Sequence, residues 1–343
     1  MSALWTHKIK PLSVKAGCLF ACVLVMTSLA SCTNNTQIPV SNDNAYSAES
    51  QETSAAASVS SDTTLTTFQA TSTSPATTTS VMAAATEAPA PRFQNNIFTM
   101  IDAIGFFPST DLMTQMKAII NSDAYRTGFY LKSLDGGSIE MGYNPGGEYF
   151  GASTIKSAVA LYIYREVAAG RMHLDAFIGI ESIGSLLERM LNVSANDAYA
   201  TLRDYVGSAK INALTSSLGC RTFQISSRGW AQATPIDAAI LWQAIYDFCS
   251  SCDTGKLFMD QLINAQWNEV KDALGDGYTI PHKYGYMTGS LAVYSENSLI
   301  LKTNGQSYIF TYYTTGTPTD NTLAGVVQLL DQMMIEYDIY KGT

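Results

Sequence analysis

A tract of small and hydroxylated residues limits which part of this chain can fold. Residues 33–90 hold 35 Ser, Thr or Ala among 58 positions, with no periodic apolar pattern. Such a segment cannot bury enough apolar surface to offset the entropy lost on ordering. Helical and strand-like periodicity begins at about Arg92. We therefore expect a disordered tether over residues 32–91 and one folded domain over residues 92–343.

The N-terminus has the pattern of an export signal. Three lysines precede an apolar run over residues 18–30, which is shorter than the roughly 20 residues that span a bilayer. The run ends in Leu29-Ala30-Ser31-Cys32, which resembles a bacterial lipobox. This predicts a signal peptide over residues 1–31, lipidation at Cys32 and an extracytoplasmic protein anchored to the bacterial cell membrane. The alternative is an ordinary secretory signal cleaved nearby.

Charge and composition exclude several function classes. The formal net charge is −9 and Lys and Arg are not clustered, which argues against nucleic acid as a partner. With only three histidines, a His-based zinc site or a Ser-His-Asp triad has few candidates. We expect no metal, no cofactor and a monomer.

Three cysteines, Cys220, Cys249 and Cys252, would remain in the folded part. The spacing of Cys249 and Cys252 is that of a redox motif, but no βαβ pattern surrounds it. A local disulfide or plain packing is the better interpretation for an exported protein, and the sequence leaves the choice open.

The order of elements predicts the fold class. Ser109 is a candidate N-cap for a first helix. The later elements are strands over Thr127–Leu131 and Ser138–Tyr143 around Asp135-Gly136-Gly137, helices over 154–169, 182–192, 195–206, 235–249 and 322–340, and strands near 279–287, 296–303 and 306–314. The Asn304-Gly305 pair indicates a tight type I′ hairpin between the last two strands. We expect an α+β architecture: a five-stranded antiparallel sheet flanked by helices, with an inserted helical subdomain over about 154–265.

Ser153 and Lys156 are the central candidate residues. They lie three positions apart where a Gly-rich approach enters a long apolar helix, and residues at this spacing share a helix face. A serine needs a base to become nucleophilic, and a desolvated lysine can serve as one. The helix N-terminus supplies free N–H groups for a developing oxyanion.

Three motifs in the expected order resemble those of the class A β-lactamases and penicillin-binding proteins. The first is Ser153-Thr154-Ile155-Lys156, the second Ser194-Ala195-Asn196 and the third His282-Lys283-Tyr284-Gly285. The resemblance covers roughly residues 110–343. It implies a β-lactamase/transpeptidase-like fold and a serine hydrolase that forms an acyl-enzyme.

The resemblance also implies a role for each matching position. Ser153 attacks the carbonyl, Lys156 takes its proton, and Ser194 relays a proton to the leaving nitrogen. Lys283 steadies Ser194 and attracts a substrate carboxylate. The substrate-binding residues would be Asn196, Tyr284, Gly285 and Tyr286, with the N–H groups of Ser153 and Tyr286 forming the oxyanion hole.

Each motif residue also has a structural alternative. Ser194 and Asn196 are typical helix-capping residues. Lys283 could be a strand-edge charge that discourages aggregation. We expect His282 to be structural.

Three departures from the family pattern set expectations for turnover. No Asp or Glu occurs from Tyr205 to Ile236, so the loop glutamate that activates water for deacylation is missing. Tyr284 replaces the Thr or Ser that helps bind the substrate carboxylate, and Ala195 replaces the usual Asp. We therefore expect acylation by β-lactams or peptide-like amides with slow deacylation. The alternatives are a peptidoglycan D,D-carboxypeptidase or transpeptidase, and a non-catalytic cell-wall-binding lipoprotein.

Overall fold

The computed structural model describes residues 93–123, 126–134, 138–288, 292–316 and 322–342. The predicted signal peptide, Cys32 and the whole of the predicted tether lie outside these residues. None of the described helices combines the length and apolar character needed to cross a membrane.

The described residues form strands and helices in a mixed order. The helices are α1 (Thr110–Ser122), α2 (Lys156–Ala168), α3 (Ile183–Asn192), α4 (Asn196–Val206), α5 (Ser208–Ser217), α6 (Pro235–Ser251), α7 (Asp253–Ile263), α8 (Glu269–Leu274) and α9 (Thr322–Lys341), with a 3₁₀ turn, η1 (Ala152–Ile155). The strands are β1 (Thr99–Ile101), β2 (Arg126–Ser133), β3 (Glu140–Tyr143), β4 (Tyr149–Phe150), β5 (Phe177–Ile178), β6 (Glu181–Ser182), β7 (Gln224–Ile225), β8 (Ala231–Ala233), β9 (Tyr278–Thr279), β10 (His282–Met287), β11 (Val293–Lys302) and β12 (Tyr308–Thr315).

The main sheet is antiparallel, as predicted, and comprises seven strands within the part of the chain that the structure describes. Its order is β1-β3-β2-β12-β11-β10, with β9 paired to the far end of β11. The five predicted strands are all present, and β1 and β9 extend the sheet. Because β1 has three residues and β9 has two, neither is long enough to show the alternating pattern that identifies a strand.

The two faces of the sheet bury separate apolar cores. On β12, Ile309 and Tyr313 pack against the helical block built around α2, while Phe310 and Tyr312 pack against α1, α8 and α9. Alternate residues of a strand project to opposite faces, so one strand serves both cores. This α+β layering is the predicted fold class.

Helices α1 and α6 each begin directly after a residue whose side chain caps the helix. Ser109 accepts a hydrogen bond from the N–H of Leu112, as predicted. Thr234 caps α6 in the same way, with Pro235 as the first helical residue. A side-chain oxygen at this position satisfies an N–H that has no partner within the helix.

The turn between β11 and β12 is longer than the predicted two-residue hairpin. The last paired residues are Ile300 and Tyr308. The N–H of Gln306 lies 3.1 Å from Asp338 Oδ2 on α9, so the loop is tied to the neighbouring helix, and Gly305 takes a left-handed φ of 96°. The Asp135-Gly136-Gly137 turn lies outside the described residues.

The cysteines of the described chain are free, so the disulfide alternative is wrong and packing is the correct interpretation. Cys249 is buried in the helical core. Cys252 caps α7, where its Sγ accepts a hydrogen bond from the N–H of Gly255.

Candidate active site

Ser153 lies in a tight turn at the start of α2, a largely buried helix. It is the second residue of η1, which continues directly into α2 at Lys156. Ala152, just before it, has a φ of 44°, a left-handed conformation that is uncommon for residues other than glycine. Backbone strain of this kind persists only where the surrounding structure enforces it. The turn therefore holds Ser153 in a defined position.

Two lysines meet at one hydroxyl. Lys156 Nζ lies 3.1 Å from Ser194 Oγ, and Lys283 Nζ lies 3.0 Å from the same oxygen. Lys156 also donates to Ser194 O at 2.6 Å and to Asn196 Oδ1 at 2.8 Å. Lys283 also donates to the carbonyl oxygen of Tyr284 at 2.9 Å. The second and third motifs are thus joined to the first through hydrogen bonds.

The capping alternative for the second motif is wrong. The N-cap of α4 is Ala195, and no side chain caps the helix. Asn196 is the first residue of α4, and its side-chain oxygen is used by Lys156. Ser194 has a left-handed φ of 57°, so its backbone is strained like that of Ala152. Its side chain lies between the amines of the two lysines.

The strand-edge alternative for Lys283 is also wrong, because its side chain is fully buried. Its neighbour His282 is buried as well and has the predicted structural role. His282 Nδ1 lies 3.1 Å from Glu296 Oε1, and Nε2 lies 3.2 Å from the carbonyl oxygen of Ala265. These contacts hold β10 against β11 and against the segment that contains Ala265.

Burial makes both lysines easier to deprotonate. Desolvation lowers the pKa of Lys156 to about 8, with Asp197 acting in the opposite direction. Desolvation, together with the charge of Lys156, lowers the pKa of Lys283 to about 7, against the effect of Glu296. Burial disfavours the charged form of an amine. A neutral amine at this site can accept a proton, which an ordinary surface lysine at neutral pH cannot.

Strand β10 lies directly against the Ser153 turn. A Cβ added to Gly285 would lie 2.5 Å from the backbone nitrogen of Ser153. Ser295 on β11 donates to the carbonyl oxygen of Gly151 at 3.0 Å and lies 3.4 Å from that of Gly285. Sequence reasoning missed Ser295, since a serine within a strand carries no local signal that its hydroxyl forms hydrogen bonds to distant backbone groups.

The predicted catalytic and substrate-binding residues therefore come together in one place. We call it the Ser153 cleft and define it by Ser153, Lys156, Ser194, Asn196, Lys283 and Gly285. Tyr284 and Tyr286 lie on β10 beside it. Ser153 is partly exposed, and its side chain forms no hydrogen bond with the described residues. The roles of these residues remain predictions, as does lipidation at Cys32.

A short hairpin occupies the segment that lacks a carboxylate. Strands β7 and β8 pair with each other, and β8 also pairs with β4. The first acidic residue after Tyr205 is Asp237, which is buried and accepts hydrogen bonds from the N–H groups of Arg221, Thr222 and Phe223. These bonds anchor the start of the hairpin to α6. Within the described residues, no cluster of three His, Cys, Asp or Glu side chains is arranged to hold a metal ion.

Comparison with known proteins identifies the family. The model of the beta-lactamase enzyme family matches residues 111–332, and the chain belongs to this family. No protein of curated function matches the sequence significantly.

Solved structures show the same fold at low sequence identity. A variant of the last common ancestor of Gram-negative class A beta-lactamases is 17% identical, covers 67% of this chain and 98% of its own, and has a TM-score of 0.57. The beta-lactamase from Sphaerobacter thermophilus is 19% identical, with 66% of this chain and 98% of its own covered and a TM-score of 0.57. The one from Desulfarculus baarsii is 15% identical, with coverage of 65% and 96% and a TM-score of 0.57. The fold is that of a class A beta-lactamase.

Proposed function

We propose that the protein is an exported, lipid-anchored serine hydrolase that is acylated at Ser153 by β-lactams or peptide-like amides and is deacylated slowly. The observation that carries the proposal is the hydrogen-bond chain from Lys156 through Ser194 to Lys283, packed beside the Ser153 turn. A hydroxyl, two buried amines and a second hydroxyl are the groups needed to move one proton from nucleophile to leaving group. Export and lipidation at Cys32 are supported by the N-terminal sequence pattern.

The proposed acylation uses each group once. Neutral Lys156 takes the proton of Ser153 as the Ser153 oxygen bonds to the substrate carbonyl carbon. The N–H groups of Ser153 and Tyr286 stabilise the oxyanion. The carbon–nitrogen bond then breaks, and the nitrogen receives a proton through Ser194. This leaves an ester at Ser153 and a free amine. Water then hydrolyses the ester and restores the Ser153 hydroxyl.

Slow deacylation is supported by the missing base. No Asp or Glu occurs from Tyr205 to Ile236, and the carboxylate of Asp237 is already bonded to three backbone N–H groups. A general base contributes roughly 10²–10⁴ in rate. Without a general base, we expect the ester at Ser153 to be hydrolysed much more slowly than it forms.

The test is labelling of the purified chain with a fluorophosphonate and with a fluorescent penicillin, alongside nitrocefin turnover. We expect labelling that Ser153→Ala abolishes, little nitrocefin turnover, and normal labelling in Ser250→Ala, a control for an exposed serine outside the cleft. Fast nitrocefin turnover that depends on Ser153 would contradict slow deacylation. Release of D-alanine from a muropeptide would favour a carboxypeptidase, and absence of all labelling with retained wall binding would indicate a non-catalytic protein.

Lipid anchoring has its own test in bacterial cells. We expect the full chain to partition into detergent and to incorporate labelled fatty acid, and we expect Cys32→Ser to lose both. An unlipidated protein released to the medium would contradict the anchor and leave secretion by an ordinary signal.

A further inference from the structure

An aromatic surface lies beside the Ser153 cleft, at the end of the cleft formed by β10. Tyr284 and Tyr286 are two residues apart on β10, so their side chains project from the same face of the strand. Trp267 packs edge-on against Tyr284, with ring centroids 5.3 Å apart. Trp267 is 59% exposed and Tyr286 is 45% exposed. We call these three residues the aromatic rim.

The rim is held in position relative to Ser194. Trp267 has a left-handed φ of 57°, and the N–H of the preceding Gln266 donates to the carbonyl oxygen of Asn192 at 3.0 Å. Asn192 ends α3 two residues before Ser194. A large exposed indole fixed in a strained backbone conformation beside a cleft is a candidate ligand contact.

The buried amine of Lys283, next to the Tyr284 ring, already forms hydrogen bonds within the protein. Lys283 Nζ donates to Ser194 Oγ and to the Tyr284 carbonyl oxygen, and it lies 4.5 Å from the centroid of the Tyr284 ring. An ammonium group has three N–H donors, and these contacts use two of them and direct the charge to an aromatic face. Because burial lowers the pKa of Lys283 to about 7, only about half of the amine groups are charged at neutral pH.

The carboxylates that act on the two lysines are paired within the protein, Asp197 with Arg189 and Glu296 with His282. Glu296 acts on Lys283 and Asp197 acts on Lys156, each favouring the charged form of its lysine. Glu296 is fully buried on β11, directly opposite Tyr284 in the β10–β11 register. A substrate carboxylate entering here would meet aromatic rings, because the Lys283 side chain is fully buried.

We propose that the aromatic rim binds the leaving-group side of the substrate, and that this group is uncharged and apolar or aromatic rather than a carboxylate. This inference rests on the proposed acylation at Ser153 and names its substrate class. It differs from the attraction of a substrate carboxylate by Lys283 that the family resemblance implies. We therefore expect a penicillin, which carries a carboxylate on its leaving-group side, to acylate Ser153 more slowly than a neutral ester does. The substrates that fit are esters or amides whose leaving alcohol or amine presents a neutral apolar surface to Trp267.

The test compares two N-acylglycine phenyl esters that differ only by a carboxyl group on the leaving phenol ring. Phenol release is measured with the purified chain, and the Ser153→Ala rate is subtracted as background. We expect the neutral ester to give a kcat/KM at least about tenfold above that of the carboxylated ester. Trp267→Ala should lower kcat/KM for the neutral ester about tenfold and change the carboxylated ester little. Tyr284→Thr should reduce the difference in kcat/KM between the two esters.

Controls separate the rim from general effects. Tyr205→Thr removes a half-exposed tyrosine of α4, and Phe107→Ala removes an exposed ring before α1. Both variants should leave kcat/KM unchanged for the neutral and for the carboxylated ester. A faster carboxylated ester, or an equal loss for both esters in Trp267→Ala, would overturn the inference. Failure of both esters while a fluorophosphonate still labels Ser153 would also overturn it, whereas loss of fluorophosphonate labelling itself would refute the proposed function.

Discussion

The backbone nitrogen of Ser153 and the Cα of Gly285 are in such close contact that a side chain cannot fit between them. A Cβ on Gly285 would lie 2.5 Å from that nitrogen. Strand β10 can therefore reach the candidate nucleophile only with glycine at this position. Since Lys283 precedes Gly285 by two residues on the same strand, the contact also sets how far the amine of Lys283 lies from the Ser153 turn.

Gly285→Ala should separate β10 from the Ser153 turn. We expect acylation at Ser153 to fall at least about 10²-fold, because a displaced oxyanion donor alone has this effect, and stability to fall by about 1–3 kcal/mol. Gly277→Ala is the matched control, since a Cβ there meets nothing within 4 Å. Normal labelling of Gly285→Ala by a fluorophosphonate would refute the role of this contact.

Ser194→Ala should uncouple the two lysines. The substitution removes the oxygen that accepts from both Nζ atoms, and the proposed proton relay loses its central group. We expect the acylation rate to fall about 10²–10⁴-fold while the fold is retained. The measurement is stopped-flow acylation by a neutral aryl ester, with circular dichroism as the check on folding. An unchanged rate would show that Ser194 carries no proton.

Acylation should accelerate as pH rises. Lys156 must be neutral to accept the Ser153 proton, and burial lowers its pKa to about 8. We expect the rate to rise about tenfold per pH unit below pH 7 and to level off above pH 8 to 9. Because Lys283 lies beside the same hydroxyl, the apparent pKa values belong to the pair. A rate that is flat from pH 6 to 9, or that falls as pH rises, would contradict Lys156 as the base.

Folding stability should also rise with pH in the same range. The pKa of Lys283 is about 7 in the folded protein, against a usual value of 10.5. The unfolded chain therefore binds more protons between pH 7 and 10, so the free energy of unfolding increases with pH in that window. We expect Lys283→Met to reduce this increase between pH 7 and 9 by about 1–2 kcal/mol. The measurement is urea titration of both proteins at pH 7 and pH 9. An equal change in the free energy of unfolding in the wild type and in Lys283→Met would contradict the burial of the Lys283 amine.

Asp237 should hold the β7–β8 hairpin in place. Its carboxylate accepts from three backbone N–H groups and from the Thr222 hydroxyl. We expect Asp237→Ala to cost about 2–4 kcal/mol of stability, since several buried donors lose their acceptor. Asp247→Ala, on the exposed side of α6, should change stability by less than about 0.5 kcal/mol. Equal losses in the two variants would show that Asp237 is no anchor.

Motif order and periodicity predict much of this molecule. The N-cap at Ser109, the long helix after Ser153 and the strand beginning near Lys283 each combine a local signal with a clear apolar pattern, and all are confirmed. Helix α5 was missed because its sequence is rich in Ser, Thr and Asn and only Ile211 and Thr215 are buried.

Relations between distant residues could not be predicted from sequence. The complete burial of Lys283 depends on β11 and on the Tyr284 ring, and the contact between Gly285 and Ser153 depends on how β10 packs against η1. The position of Trp267 is set by a backbone hydrogen bond to α3. Each of these follows from tertiary packing, which leaves no local signal in a single sequence.

Acylation at Ser153 is tested by intact-protein mass spectrometry of the chain after exposure to a fluorophosphonate and, separately, to a penicillin, followed by peptide mapping. We expect a single fluorophosphonate adduct on the peptide that contains Ser153, which Ser153→Ala abolishes, and a penicillin adduct at the same residue that persists for hours. No fluorophosphonate adduct, or an adduct on any other residue, would contradict acylation at Ser153.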